Sequence, residues 1–201
     1  MGSATQRRLA AVVAADVVGY SRLMQEDDEA TLAALAACRN LFSEVVSARR
    51  GRIVNAPGDS ILAEFASVLD AVESAMEIQQ RVAAQNAQVP EPKRMQFRIG
   101  VNVGDVLVDP AGAIYGDGVN IAARLEALAS PGGICLAKAV CDQVATRLRL
   151  DLEDLGEKTV KNFSAAVHVY RVKAQGAGPA AAIPASPNSI AVLAFDNLRN
   201  L

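Results

Sequence analysis

Four stretches of the sequence carry side chains whose types and spacing could do chemistry. Asp16 interrupts the apolar run Leu9 to Val18 just before a glycine turn. An unpaired carboxylate buried there would cost several kcal/mol, so it needs a cation, a hydrogen-bond network or exposure at a strand end. Asp59 follows Gly58 at the tip of a predicted hairpin. If that hairpin lies beside the first strand, the two acids converge, and two such carboxylates repel unless a divalent ion lies between them. The plainer alternative is that Asp16 caps the following turn and Asp59 is an ordinary turn aspartate. Gly19-Tyr20-Ser21, between a strand and a helix, can offer backbone N–H groups to phosphate oxygens. Asn120 and Arg124 lie four apart and project from one helix face, an amide and a guanidinium suited to a sugar hydroxyl and a phosphate. Their alternative is a solvated face on which Arg124 pairs with Glu126 or another acid.

The elements that must position these groups are legible in the hydrophobic pattern. After a polar leader, residues 1–8, the valine-rich run Leu9 to Val18 reads as a strand buried on both faces. From Asp28, Leu32, Leu35, Cys38, Leu41, Phe42 and Val45 recur at helical spacing, with Gly51 as the C-cap. Arg52 to Asn55 and Ile61 to Phe65 form the hairpin, and a second helix with the stripe Val68, Leu69, Val72, Ala75, Met76 and Val82 stops at Pro90-Glu91-Pro92. Met95 to Val103 alternates as a strand, and Val106 to Val108 is expected to return beside it after Gly104-Asp105. A Gly-rich loop, Asp109 to Gly118, leads into a short helix, Val119 to Leu128. Ile134 to Ala137, a helix near Lys138 to Arg147, and strands near Leu148 to Leu155 and Val167 to Val172 complete the domain, residues 9–173. The tail is read as an Ala/Pro-rich linker, 174–188, followed by the start of a truncated second domain, 189–201. The fold class is α+β, with helices on one face of a mostly antiparallel sheet and a ferredoxin-like βαββαβ core extended by further strands and helices.

Composition narrows the chemistry. One histidine, three cysteines and no tryptophan exclude a His-rich or Cys-rich zinc site, and any catalytic triad must use His168. Metal chemistry falls to carboxylates. A net charge of -2 and 4% aromatic residues provide neither a basic field nor stacking platforms, so nucleic acid is not an expected partner. Cys38, Cys135 and Cys141 form no C-x-x-C pair, which points to a reducing, cytoplasmic location. The most apolar N-terminal run is about half the ~20 residues of a membrane span, and it lacks a signal-peptide cleavage site. No P-loop or dinucleotide-binding glycine motif occurs.

Taken together, Ala15-Asp16-Val17-Val18-Gly19-Tyr20-Ser21, Pro57-Gly58-Asp59-Ser60 and Tyr115-Gly116-Asp117-Gly118-Val119-Asn120-Ile121-Ala122-Ala123-Arg124 resemble, in order and spacing, the catalytic domain of bacterial class III adenylate and guanylate cyclases. The resemblance runs from about Arg8 to Val172. It implies attack of a ribose 3′-hydroxyl on the α-phosphate of a nucleoside triphosphate, giving a 3′,5′-cyclic nucleotide and pyrophosphate. By motif position Asp16 and Asp59 would hold two Mg²⁺ or Mn²⁺ ions per active site, Asn120 would orient the ribose, and Arg124 would meet charge developing on the α-phosphate. Lys161, with Lys158 nearby, resembles the family's late phosphate-binding lysine. A head-to-tail homodimer is implied, each site taking its acids from one protomer and its Asn/Arg pair from the other.

Two positions depart from the family pattern. Adenylate cyclases usually carry a lysine where this chain has Asn55, and an acid or hydroxyl residue where it has Ala113. Asn55 can still make a hydrogen bond but Ala113 cannot, which weakens base selection by one to several kcal/mol. ATP is expected over GTP, because the glutamate that reads guanine is also absent at position 55. The alternative is a cyclase-like nucleotide-binding and dimerisation module that regulates a downstream domain. A diguanylate cyclase lacks its Gly-Gly-Asp/Glu-Glu-Phe run. Ser189 to Leu198 faintly resembles the opening of TolB amino-terminal-like domains.

Overall fold

The computed structural model of the chain describes residues 5–55, 57–159 and 166–173, with Asn55 described through its backbone. Its elements in chain order are β1 (Gln6–Val17), α1 (Tyr20–Glu26), α2 (Asp28–Ala48), β2 (Arg52–Asn55), β3 (Ile61–Phe65), α3 (Val68–Asn86), β4 (Phe97–Val108), β5 (Ile114–Tyr115), α4 (Asp117–Leu128), β6 (Ile134–Ala137), α5 (Lys138–Val144), β7 (Leu152–Thr159) and β8 (Ala166–Val172). The strands form one sheet in the order β2-β3-β1-β4-β6-β8-β7, with β5 paired to β4. All pairs are antiparallel except β4 with β6. The first four strands in the chain, adjacent as β2-β3-β1-β4, make the expected βαββαβ core with α2 and α3.

β1 explains why its sequence is continuously apolar. Ala11, Val13, Ala15 and Val17 point into the larger core, with Leu35, Phe42 and Val45 of α2 and Val72, Ala75 and Ile78 of α3. Ala10, Val12 and Ala14 point the other way, into a smaller core with Val106, Ile114 and Ala122. A strand covered on both faces has no solvent side for polar residues. Helix α2 is capped by Asp27, whose carboxylate accepts from the Ala30 N–H at 3.0 Å, an N-cap worth about 1 kcal/mol.

Several expected boundaries shift. β1 begins at Gln6, so part of the expected leader pairs with β4, Gln6 opposite Val108. Tyr20–Glu26 forms α1, a helix too short to show a periodicity. The left-handed residue after α2 is Arg50 (φ 58°) and not Gly51. α4 begins earlier, at Asp117. α5 is shorter than expected, and β7 lies further along the chain.

The larger corrections concern β4 and α4. No turn occurs at Gly104-Asp105. β4 runs straight through to Val108, opposite β1 over its whole length, and β5 is the strand that returns. Nor do the helices share one face, because α4 lies on the sheet face opposite α2 and α3. The alternation of β4 explains both findings. Phe97, Ile99 and Val101 enter the larger core, while Arg98, Gly100, Asn102 and Gly104 face α4. A Cβ at Gly100 would stand 2.9 Å from the Leu125 carbonyl carbon, and one at Gly118 would stand 2.9 Å from the Asp105 carbonyl oxygen. Asn102 donates its amide to the Gly118 carbonyl at 3.1 Å. These glycines let helix and strand backbones touch; they are not turn residues.

Candidate active site

Asp16 is the last residue but one of β1 and shares its face with Ala10, Val12 and Ala14. Its side chain is only 19% exposed, and Arg98 stands directly opposite on β4. The guanidinium grips both carboxylate oxygens: Nε donates to Oδ1 at 3.0 Å and Nη2 donates to Oδ2. Burial of Asp16 is therefore offset by a two-pronged ion pair.

Asp59 arrives from the hairpin. Ile61 pairs with Ala15, so the β2–β3 tip lies beside the end of β1 that carries Asp16. Gly58 there adopts φ +57°, and its carbonyl accepts from Arg39 on α2. Asp59 acts electrostatically on Arg98 and on Glu126, the same two groups that contact Asp16.

Glu126, on the last turn of α4, is the residue that motif reading missed. Its side chain is 13% exposed and its Oε1 is 3.9 Å from Arg98 Nη2. Burial first, then the charge and hydrogen bonding of Asp16 and the charge of Asp59, push its carboxyl up to about 8 against the pull of Arg98. The Arg98 guanidinium is held above its ordinary value, chiefly by its hydrogen bond to Asp16. A signal for Arg98 is present in the sequence: β4 puts Arg98, Gly100 and Asn102 at alternate positions where a doubly buried strand would carry apolar side chains.

The donor set fits a hard divalent cation. Asp16 pairs with Arg98, Asp59 acts electrostatically on the same guanidinium, and carboxylate oxygen is the ligand Mg²⁺ prefers. Among the described residues no group of three or more His, Cys, Asp or Glu side chains is arranged to hold an ion by itself. Magnesium is ordinarily bound through one or two carboxylates plus substrate phosphates, so two acids suffice.

Asn120 and Arg124 are both exposed on α4, while Ala122 between them and Leu125 just beyond are buried. Glu126 alone among these α4 residues reaches back toward Asp16. Gly19 takes φ 67° and caps α1 with no side-chain bond, leaving Tyr20 and Ser21 in its first turn beside β1. Ala113 is half-buried, and its N–H donates to Asp109 Oδ1 at 2.9 Å. The neighbouring Gly112 carbonyl accepts from Arg52 at 2.7 Å, tying this loop to the strand that ends at Asn55. Lys161 lies outside the described residues, as do 174–188 and 189–201. His168 serves no triad: it bonds Asp154 at 2.7 Å across the β7–β8 edge and stacks on Tyr170.

Two concavities lie elsewhere. Grooves of about 240 and 480 Å³ flank α3 near Gln79, Ala83 and Gly132, and contain none of the motif residues. Asp16 instead sits at the end of β1, beside the tip of the hairpin that carries Asp59, with Asn120 and Arg124 exposed on α4. A family model described as the adenylate and guanylate cyclase catalytic domain matches residues 4–174. The chain belongs to this family.

The cyclase domain is 41% identical over 203 residues to the putative adenylate cyclase 3 of Rhizobium meliloti, a match covering 96% of this chain and 34% of that protein. Adenylate cyclase 1 of the same organism is 27% identical over 188 residues, covering 85% of this chain and 28% of the relative. The chain thus spans about a third of the length of these relatives. Among solved structures, an adenylate/guanylate cyclase/hydrolase from Silicibacter pomeroyi superposes with a TM-score of 0.79 at 38% identity, covering 84% of this chain and 98% of that one. The adenylyl cyclase CyaB from P. aeruginosa superposes at 0.76 with 25% identity, over 86% and 97% of the two chains. No helix among the described residues is long and apolar enough to cross a membrane.

Proposed function

We propose that this cyclase domain converts a purine nucleoside triphosphate, ATP in preference to GTP, to its 3′,5′-cyclic monophosphate and pyrophosphate, as a head-to-tail homodimer. The observation that carries the reading is the division of the site within one chain. Asp16 and Asp59 gather on the sheet face, while Asn120 and Arg124 point outward from α4. One chain supplies two complementary halves, which a two-fold partner would join into two equivalent sites.

In this reading Asp16 and Asp59 hold two Mg²⁺ or Mn²⁺ ions. Bound there, the ions supply Lewis acidity to the ribose 3′-hydroxyl and charge neutralisation to the phosphates. Asn120 from the partner orients the ribose for in-line attack on the α-phosphate, and pyrophosphate departs. Arg124 from the partner meets the charge that develops on the α-phosphate oxygens. The amides of Gly19, Tyr20 and Ser21 face the polyphosphate, with Lys161 as a further phosphate ligand. Asn55 and Ala113 border the base, where one hydrogen bond is available instead of two, so ATP is favoured over GTP only modestly.

The test is incubation of the purified chain with Mn²⁺ and ATP or GTP, with cyclic product resolved by chromatography. Product should form from wild type, more from ATP, and fall to background in Asp59→Ala and in Arg124→Ala. Mixing these two variants should restore about a quarter of wild-type activity, since half the dimers become mixed and each carries one intact site. No product from wild type, or undiminished product from Asp59→Ala, overturns the reading. Nucleotide binding to a dimer without turnover selects the regulatory module instead.

A further inference from the structure

Glu64 is buried on β3 and gathers two arginines at one oxygen, Oε1: Arg8 from β1 and Arg52 from β2. One cation already keeps that carboxylate paired, and Arg52 does something that Arg8 does not. While its Nε donates to Glu64, its Nη2 donates to the Gly112 carbonyl at 2.7 Å, in the β4–β5 loop sixty residues away. Gly112 takes φ +86°, and a Cβ there would stand 3.3 Å from Arg52 Nη1, so a glycine lets the guanidinium lie against the loop. The loop itself is closed by Asp109. Its N–H donates to the Ala113 carbonyl at 3.0 Å, its carbonyl accepts from the Gly112 N–H at 2.9 Å, and its Oδ1 accepts from the Ala113 N–H at 2.9 Å. Residues 109–113 therefore move as a unit, and Arg52 ties that unit to β2.

In the cyclase reading these are the two segments that border the base. Arg52 stands opposite Glu64, and Asn55 lies three residues beyond it, after a bulge that brings Asn55 opposite Leu62. Ala113 follows Gly112 directly. It has no polar side chain, and its N–H and carbonyl both bond Asp109, so what its loop offers a purine is a surface whose place matters more than its chemistry. We propose that Arg52 is a positioning residue for the purine: it holds the β4–β5 loop at a fixed distance from the strand that carries Asn55, so that the two base-facing segments keep one spacing. A guanidinium suits the task because its fork spans a carboxylate and a carbonyl at once. The inference rests on the cyclase reading for its ligand, and adds to it a residue outside the motifs.

The test compares Arg52→Gln with Arg8→Met in the full chain. A glutamine amide nitrogen stands where the arginine Nε stands, so it can still donate to Glu64, but it lacks the arm that reaches Gly112. Arg8→Met takes a cation from the same carboxylate without touching the loop. Arg52→Gln should raise KM for ATP about tenfold, the loss expected for one hydrogen bond from a charged donor, with kcat within about twofold of wild type. Inhibition by inorganic tripolyphosphate, which has no base to place, should also stay within about twofold. Amide hydrogen exchange at Gly112 and Ala113 should speed up about tenfold with no nucleotide present. Arg8→Met should leave all four quantities at their wild-type values. A purely structural role would make the two variants alike, or would weaken tripolyphosphate in step with ATP. Either of those patterns, an unchanged KM, or loop exchange equal to wild type overturns the inference. Arg52→Met, in which Glu64 keeps Arg8, takes the place of Arg52→Gln if that variant does not fold. If wild type forms no cyclic product, the cyclase reading fails and takes the purine role with it, whereas loop exchange still decides whether Arg52 is the tether.

Discussion

Replacing Gly100 by alanine tests whether the position of α4 sets the rate. The added Cβ would stand 2.9 Å from the Leu125 carbonyl carbon, with the Ala122 carbonyl and Glu126 N–H closer still, where ordinary contact begins at 3.4 Å. All three are helix backbone, so no side chain can swing aside. The helix must retreat by at least 0.5 Å, taking Asn120, Arg124 and Glu126 with it. Overpacking of this kind costs about 1–3 kcal/mol. For a domain of this size that corresponds to a melting temperature lowered by about 3–10 °C. Misplacing a catalytic group by 1 Å costs about a hundredfold, so half that displacement predicts a kcat loss of roughly tenfold, with a smaller change in KM. The assay pairs initial rates of cyclic nucleotide formation with thermal melting, both at a temperature where the variant is folded. Gly132→Ala is the control: it too is strained, at φ +73°, but its Cβ meets nothing within 4 Å. It should lower the melting temperature by a left-handed backbone cost of about 1–2 kcal/mol while leaving kcat alone. A Gly100→Ala protein with wild-type kcat, or one whose loss of kcat is matched by Gly132→Ala, would refute the seating argument.

Two further outcomes are expected. Glu64 is 4% exposed and accepts from both Arg8 and Arg52, which are 37% and 44% exposed, so Glu64→Ala leaves two cations facing a buried gap. Breaking a buried pair costs about 3–5 kcal/mol, reduced here to roughly 1–3 because water reaches both arginines; urea titration at pH 7 reads it, and a loss under 0.5 kcal/mol counts against the network. Burial raises the Cys38 and Cys141 thiols from 9.0 to about 11. Since the folded values lie above the unfolded ones, their contribution to stability is complete below pH 9 and is lost as pH climbs to about 11. Native protein at pH 8 should therefore resist a thiol reagent that labels all three cysteines in guanidinium, and rapid native labelling would show that these side chains are not enclosed.

That the hairpin tip carrying Asp59 lies beside the end of β1 carrying Asp16 is legible in the sequence, because it depends on local geometry. An apolar strand ending in glycine and a hairpin of four-residue and five-residue strands leave few ways to place their ends. The base-pocket departures at Asn55 and Ala113 were also visible, since they are absences of side-chain chemistry. β4 departs from its sequence expectation because glycine signals either a turn or a close approach, and sequence cannot say which. Gly104-Asp105 resembled a turn only because Gly118, which lies against it, is fourteen residues away. Glu126 was given a conventional role as a surface partner for Arg124 on its own helix.

The sequence by itself determined the hydrophobic period of each main element, the order of the motifs and, through them, the family. These are set by bonds and neighbours within a few residues. Only the tertiary structure decided that α4 crosses the opposite face of the sheet, that Arg98 occupies Asp16, and that Glu126 turns inward while Arg124 turns out. Those facts depend on backbone contact between β4 and α4 and on charges from β1, β4, α4 and the hairpin meeting in one place. Coulomb energy depends on distance in space and not on distance along the chain, so no spacing in the sequence could have shown them.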